Sequence, residues 1–364
     1  MRTTCSSPSV PHFIRLPLVS SSPLDGCWYA VATSAAIGDQ PHPIEVRDQA
    51  YVLWRGSDGT LIATADRCTH REAKLSLGTV TDGCLHCPYH GWSFGDQGRC
   101  VGVPSSGPAA TIAPAAHLTP LAVAERYGLV WFCPAEPTQP VPHLGVDEDS
   151  SFTRLNTTME VWNCSVTRMI DNMLDVAHFP YTHAGTFGRE QERTVPHFTL
   201  EQLDDTFHGY TYSVIVNNEG EAKSMSGGGN DVIRLDMSTG FALPFSVRST
   251  MSYENGIEQT LFMTASPISA ERSYFTFVLW RNDDVTTTGQ QIVDFEREVA
   301  REDRQMLEQF PGELSLDRGL LVDVQSDKAS LEWRRRYSAL INPASGATHS
   351  SSWAATGRLR LRTG

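Results

Sequence analysis

Six side chains of metal-binding type, packed into 26 residues, constrain this chain more than any other feature. In "RCTHREAKLSLGTVTDGCLHCPYHGW", residues 67–92, Cys68 and His70 form C-x-H and Cys87 and His90 form C-x2-H, with 16 residues between the pairs. Each half offers one thiolate and one imidazole. A [2Fe–2S] cluster in which two His replace two Cys on one iron needs this set. Two hairpin tips facing each other deliver it. Zinc is the rival: Cys84 and Cys87 make C-x2-C, and Cys68 or His70 could complete four ligands. That choice leaves His90 idle. The remaining alternative is an unliganded set of core cysteines. In the cluster reading, Cys84 and His86 are packing or surface residues.

The flanks read as short strands, "WYAVAT", "YVLWRG", "LIATAD" and "GLVWFC", divided by turn signals such as "SDGT" and "TDG". An all-β domain over 26–136 follows, after an arm at 1–25 rich in Ser and Pro. Residues 137–152 hold Pro and acidic side chains and read as a linker. Over 161–180 the period changes: Val161, Trp162, Val166, Met169, Ile170, Met173 and Leu174 fit a helix that stops at Pro180. Alternating patterns from 196 to 281 suggest an antiparallel sheet. "SMSGGGND", 224–231, reads as a flexible loop, and "QQIVDFEREVAREDRQMLEQF" as the amphipathic helix that closes a second domain over 153–343. The tail 344–364 reads as disordered.

A second constellation lies in "DNMLDVAHFPYTHAGTFG", 171–188. Asp175 and His178 are three apart and share one helix face. Pro180 breaks the helix, so that the chain can turn His183 back toward His178. Two His and a carboxylate on one face of iron leave positions open for dioxygen. Polar satisfaction in a core is the bland account of the same residues. On the closing helix Ile292, Phe295, Val299, Met306 and Phe310 form an apolar stripe, and Asp303 falls on it. A carboxylate facing a core is costly unless paired or bound to metal; pairing with an internal Arg is the bland alternative. Glu302 and Arg304 lie off the stripe, where solvent can reach them.

"CTHREAKLSLGTVTDGCLHCPYHGW", with "WYAVATSAAI" before it and "YGLVWF" after it, resembles the Rieske motif of the Rieske non-haem iron oxygenases. Arg71 and Glu72 beside His70, and Tyr89 inside the second box, set it apart from respiratory Rieske proteins, which carry an extra cysteine pair there. The resemblance implies an α+β chain: an N-terminal all-β Rieske domain, then an antiparallel-sheet-plus-helices, helix-grip-like catalytic domain. Cys68, His70, Cys87 and His90 would hold the [2Fe–2S] cluster, and His178, His183 and Asp303 a mononuclear Fe(II). Asn172 and Asp175 match the family's N-x2-D variant. Asp175 would join His178 to His90 of a neighbouring copy, which implies a homotrimer.

The activity so implied is that of a terminal oxygenase. It would use dioxygen to hydroxylate, or oxidatively demethylate, a small ring-containing substrate. At 364 residues the chain is closer to the monooxygenases and demethylases of the family than to its dihydroxylating members. No G-x-G-x-x-G follows a strand, so electrons from NAD(P)H must come through a separate reductase, or a reductase and ferredoxin. Asn172, Phe179, Tyr181 and Phe187 should lie near the iron, with 184–194 and 218–231 as lids. The other classes are a Rieske electron carrier with a structural or ligand-binding second domain, and a zinc-stabilised binding protein. A net charge of −13 argues against nucleic acid. No apolar run reaches the roughly 18 residues of a membrane helix, and the cytoplasm is the expected compartment.

Overall fold

The computed structural model describes residues 22–317 and 319–343. The expectations for the arm up to residue 21 and for the tail 344–364 lie outside the described residues. Ten short strands come first: β1 (Tyr29–Thr33), β2 (His42–Val46), β3 (Gln49–Arg55), β4 (Leu61–Ala65), β5 (Thr79–Thr81), β6 (Cys84–His86), β7 (Ser93–Phe94), β8 (Cys100–Gly102), β9 (Ala122–Arg126) and β10 (Leu129–Cys133). They form three antiparallel sheets in the orders β1-β10-β9, β2-β3-β4 and β5-β6-β7-β8. β10, "LVWFC", is buried at every position, so its sequence is a continuous apolar run. Tyr127 and Gly128, both at positive φ, make the two-residue turn between β9 and β10.

That turn also fastens the 137–152 segment. The Tyr127 hydroxyl donates to the Pro142 carbonyl and accepts from the Leu144 N–H, each at 2.9 Å. Val141 and Leu144 are buried beside Trp131 and Trp280, so the segment is packed between the two halves of the chain.

The second half is built on one eight-stranded antiparallel sheet. Its strands are β11 (Thr153–Asn156), β12 (Glu160–Trp162), β13 (Glu201–Gln202), β14 (His208–Asn217), β15 (Val232–Ala242), β16 (Ser246–Ser252), β17 (Glu258–Pro267) and β18 (Ser273–Arg281). The path runs β11-β18-β17-β16-β15-β14-β13, with β12 beside β11 on β18. Among the described residues five α-helices decorate it: α1 (Val166–Met173), α2 (Phe179–Thr182), α3 (Ala222–Ser226), α4 (Gly289–Leu307) and α5 (Lys328–Ile341). The fold is the α+β arrangement expected from the sequence.

Several local expectations need correction. The helix expected over 161–180 is three pieces. Val161 and Trp162 pair with Tyr274 and Ser273 of β18 as an edge strand. Ser165 then caps α1, its side chain accepting from the Arg168 N–H. Pro180 opens α2 rather than ending α1, because a first-turn position needs no N–H. "SMSGGGND" is not wholly loose: α3 buries Ala222 and Met225, and Gly227 at φ 72° ends it. α4 does not close the domain. α5 follows it, with Arg334 bonded to Asp171 of α1 at 2.6 and 2.9 Å and the Trp333 indole to the Pro244 carbonyl. The stripe on α4 also runs out: Met306 and Phe310 are exposed, and Leu307 is the buried residue there.

Candidate metal centres

Cys68 and His70 lie on the loop after β4, Cys87 and His90 on the loop after β6. The two loops share one backbone design. The Cys68 N–H donates to the Ala73 carbonyl at 2.9 Å, and the Glu72 N–H returns to the Cys68 carbonyl at 2.9 Å. The Cys87 N–H donates to the Trp92 carbonyl at 2.8 Å, and the Gly91 N–H returns to the Cys87 carbonyl at 3.0 Å. The fifth residue of each loop is left-handed, Glu72 at φ 58° and Gly91 at φ 68°. Glycine suits that position without strain; a glutamate there is uncommon.

Both thiols are buried and neither is in a disulfide. Burial pushes the Cys68 thiol up to about 11, opposed by backbone N–H groups of His70 and Arg71 and reinforced by the Cys87 thiol beside it. The imidazoles of His70 and His90 lie 4.5 Å apart, and His70 stacks on Trp92 at 4.7 Å. His70 Nδ1 is buried with no hydrogen bond. Thiol thus lies beside thiol and imidazole beside imidazole. A cluster with one iron held by two cysteines and the other by two histidines requires that segregation. Among the described residues, no three of the Cys and His side chains in these loops bring ligand atoms within 4.8 Å of one another, as a single zinc ion would need.

The second group is tighter. His178 Nε2 and His183 Nε2 are 3.2 Å apart, and Asp303 Oδ1 is 3.4 Å from each. Asp175 sits in the turn between α1 and α2, not on a helix face with His178. Its carboxylate accepts from the Ala177 and His178 N–H groups and from His178 Nδ1 at 3.0 Å. His183, buried at the end of α2, gives Nδ1 to Glu302 Oε2 at 3.0 Å. The same carboxylate oxygen takes the Thr186 hydroxyl at 2.8 Å.

These partners fix the protons. With both Nδ1–H groups held by carboxylates, both Nε2 atoms present lone pairs. They aim at each other and at Asp303 Oδ1, which is buried without a hydrogen bond. With the imidazoles neutral, three acceptors that close need a cation or a proton among them, and one metal ion would meet all three at once. Without one the electrostatics remain coupled. Burial opposes the charge on His178, but Asp175 and Asp303 outweigh it and lift the imidazole to about 9. Burial likewise opposes ionisation of Asp303, and the His178 and His183 imidazoles, with the Asn172 side chain, hold its carboxyl below the usual range. Burial lowers His183.

Phe187 stacks on His183 at 4.9 Å and Phe179 stands edge-on to His178 at 5.0 Å. Gly188 allows this packing: a Cβ there would lie 2.2 Å from the Phe179 carbonyl oxygen. The group opens onto a cavity whose lining includes Asn172, Phe179 and Phe187. Tyr181 does not face it. The ring is 61% exposed, with the Arg193 guanidinium over it. Glu302 is the residue sequence reasoning missed. The 183–188 turn wraps over its side of α4 and covers most of it, leaving the side chain 11% exposed, and no periodicity in α4 signals that. Arg304 is likewise not left to solvent alone, since it bonds Glu308 at 2.9 Å.

No helix among the described residues is long and apolar enough to cross a membrane. Residues 27–116 match the Rieske [2Fe-2S] domain, and residues 162–343 match the vanillate O-demethylase oxygenase C-terminal domain. Chlorophyllide a oxygenase of Arabidopsis thaliana is 34% identical over 48% of this chain, although the match spans only 32% of that protein. Methylxanthine N1-demethylase NdmA of Pseudomonas putida is 26% identical over 85% of this chain and 86% of its own. In structure, NdmB of Pseudomonas putida CBB5 superposes with a TM-score of 0.75 at 23% identity, over 90% of this chain and 94% of that one. The protein belongs to the Rieske oxygenases, with a Rieske [2Fe-2S] domain joined to a C-terminal domain of the vanillate O-demethylase oxygenase type.

Proposed function

We propose that the chain is the terminal oxygenase of a multicomponent system that hydroxylates, or oxidatively N- or O-demethylates, a small ring-bearing substrate. Electrons come from NAD(P)H through a separate reductase, with or without a ferredoxin. Cys68, His70, Cys87 and His90 hold the cluster. His178, His183 and Asp303 hold Fe(II). When bound, the two centres supply one-electron transfer and activation of dioxygen.

The chain's own residues do the rest. Asp175 and Glu302 keep the Nδ1 protons of His178 and His183, which leaves Nε2 of each free to bind metal. Phe179 and Phe187 shield the imidazoles, and methionines 173, 237, 251 and 263 form soft apolar walls that accommodate a ring. Asp175 is also the relay: its side chain remains 25% exposed, so that one copy can offer it to His90 of the next. His90 is itself exposed in the single chain. A closed head-to-tail trimer is the assembly this reading calls for.

The observation that carries the proposal is the convergence of His178 Nε2, His183 Nε2 and Asp303 Oδ1 at the cavity wall. The test is His178→Ala. The variant should keep the cluster's visible absorption, lose the iron in excess of the cluster and form no product in a dioxygen-uptake panel of ring compounds. Full iron content and normal turnover in the variant would place the reaction elsewhere.

A further inference from the structure

The cavity has a carboxylate that neither iron binding nor the Asp175 relay uses. Glu296 lies on α4, seven residues before Asp303, so the two share one helix face about 10 Å apart at 1.5 Å per residue. It is buried and lines the cavity. Among the described residues one hydrogen bond reaches it, from Gln259 Nε2 to Oε1 at 2.6 Å. That amide has no freedom to turn, because its oxygen accepts from Arg281 Nη1 at 2.8 Å.

Arg281 does not neutralise Glu296. Its guanidinium is fully buried and already engaged in two bonds to the Asp283 carboxylate, each 2.8 Å. Arg281 is committed to Asp283, and among the described residues Glu296 is left as a buried acid with no ion pair of its own. A buried carboxylate in that position is costly until something pairs with it. None of the described residues lining the cavity is Lys or Arg, whereas Asp175, Glu296 and Asp303 all contribute carboxylates.

We propose that Glu296 is the substrate anchor: its carboxylate pairs with a protonated amine of the substrate and lays the ring along α4 toward the iron-binding triad. This rests on the oxygenase reading above and adds the substrate class, an aryl amine-bearing compound with its oxidised carbon at the end remote from the amine. An organic carboxylate of the same size should bind more weakly, because its charge repels that of Glu296. Burial pushes the Glu296 carboxyl up to about 7, with the Gln259 hydrogen bond and Arg281 opposing. Amine binding therefore strengthens as pH rises through that value. Tyr253, Arg281 and Asp283 are the other ionisable groups in this network, and burial holds Tyr253 far above the window.

The experiment is calorimetric titration of the iron-loaded protein with 4-methoxyphenethylamine and 4-methoxyphenylacetate, close analogues of opposite charge. At pH 8 the wild type should bind the amine at least about ten-fold more tightly than the carboxylate, the worth of a charge-assisted hydrogen bond. Glu296→Gln should erase the preference. In the wild type alone, amine affinity should fall about ten-fold from pH 8 to pH 6, as the carboxyl takes up its proton while the amine stays charged. That arm stands even if the variant does not fold. Equal binding of the two probes, binding of neither, a preference that survives in Glu296→Gln, or a flat pH profile overturns the anchor. Cluster absorption and iron content, measured on the same samples, separate the two failures. Intact metals without discrimination remove the anchor alone; a wild type that loads no metal removes the oxygenase reading with it.

Discussion

The two candidate metal centres are held in opposite ways. The loops at 68–73 and 87–92 are shaped by their own backbone, each closing the same pair of hydrogen bonds around its cysteine. All four expected ligands come from 23 consecutive residues. The His178, His183 and Asp303 group is aimed instead by side chains, and its carboxylates Glu302 and Asp303 come from a helix more than a hundred residues away. Local backbone design tolerates change in distant elements. A centre aimed by second carboxylates depends on the packing of α4 against the α2 turn.

Asp303→Ala should give the largest effect: complete loss of the mononuclear iron and of product, with the cluster's visible spectrum unchanged. Iron retained at the wild-type level would mean that the triad is not the ligand set. Next is Glu302→Ala, which frees His183 Nδ1. Outer partners of ligating imidazoles are worth about 10- to 100-fold in metal affinity. The iron dissociation constant, read by competition with a chelator, should rise by that factor. An unchanged constant would show that the α2 turn alone aims His183.

Stability extends the comparison to α4 as a whole. The folded Glu296 carboxyl keeps its proton until about pH 7, whereas its ordinary value is 4.5. Between those values the unfolded chain sheds a proton that the folded one retains, so folding weakens as pH rises through the window and is unaffected by this group below it. The full effect is on the order of 3 kcal/mol at about 1.4 kcal/mol per unit. Urea midpoints of the wild type and Glu296→Gln should coincide near pH 4.5 and diverge in the variant's favour by pH 8. Parallel curves would mean that the carboxylate finds a cation the structure does not show.

The smallest effect belongs to the backbone-built centre. Glu72→Gly should relieve the left-handed position and raise stability by about 0.5–1 kcal/mol. The ion pair of Glu72 with Arg67, 3.4 Å and exposed on both sides, is worth little against that. Gly91→Ala should cost about 1 kcal/mol. If both leave the thermal midpoint unmoved, the matched loops owe their shape to the cluster and not to the chain.

The difference between the centres also explains what can be read in advance. C-x-H and C-x2-H identify their loops because every constraint lies within a few residues. Asp303 stands out because it interrupts an apolar stripe, which is a helix-local signal. The same stripe leaves Glu302 in solvent, since its burial comes from the 183–188 turn crossing α4. Proximity in sequence puts Tyr181 at the iron, yet α2 turns its ring outward. Pro180 reads as a helix stop and is a helix start; the sequence marks the position but not the side. α5 gives little signal because its apolar face is sparse, and it is held through Trp333 and the Arg334–Asp171 pair.

Sequence alone determined the residue types, the strand-rich class and the spacing of the cluster loops, for these depend on local periodicity and turn chemistry. Tertiary structure decided which carboxylate orients which imidazole, which oxygen is buried without a hydrogen bond and which acid faces the cavity without an ion pair. Those are properties of a few ångströms between elements far apart in the chain, and no local pattern encodes them.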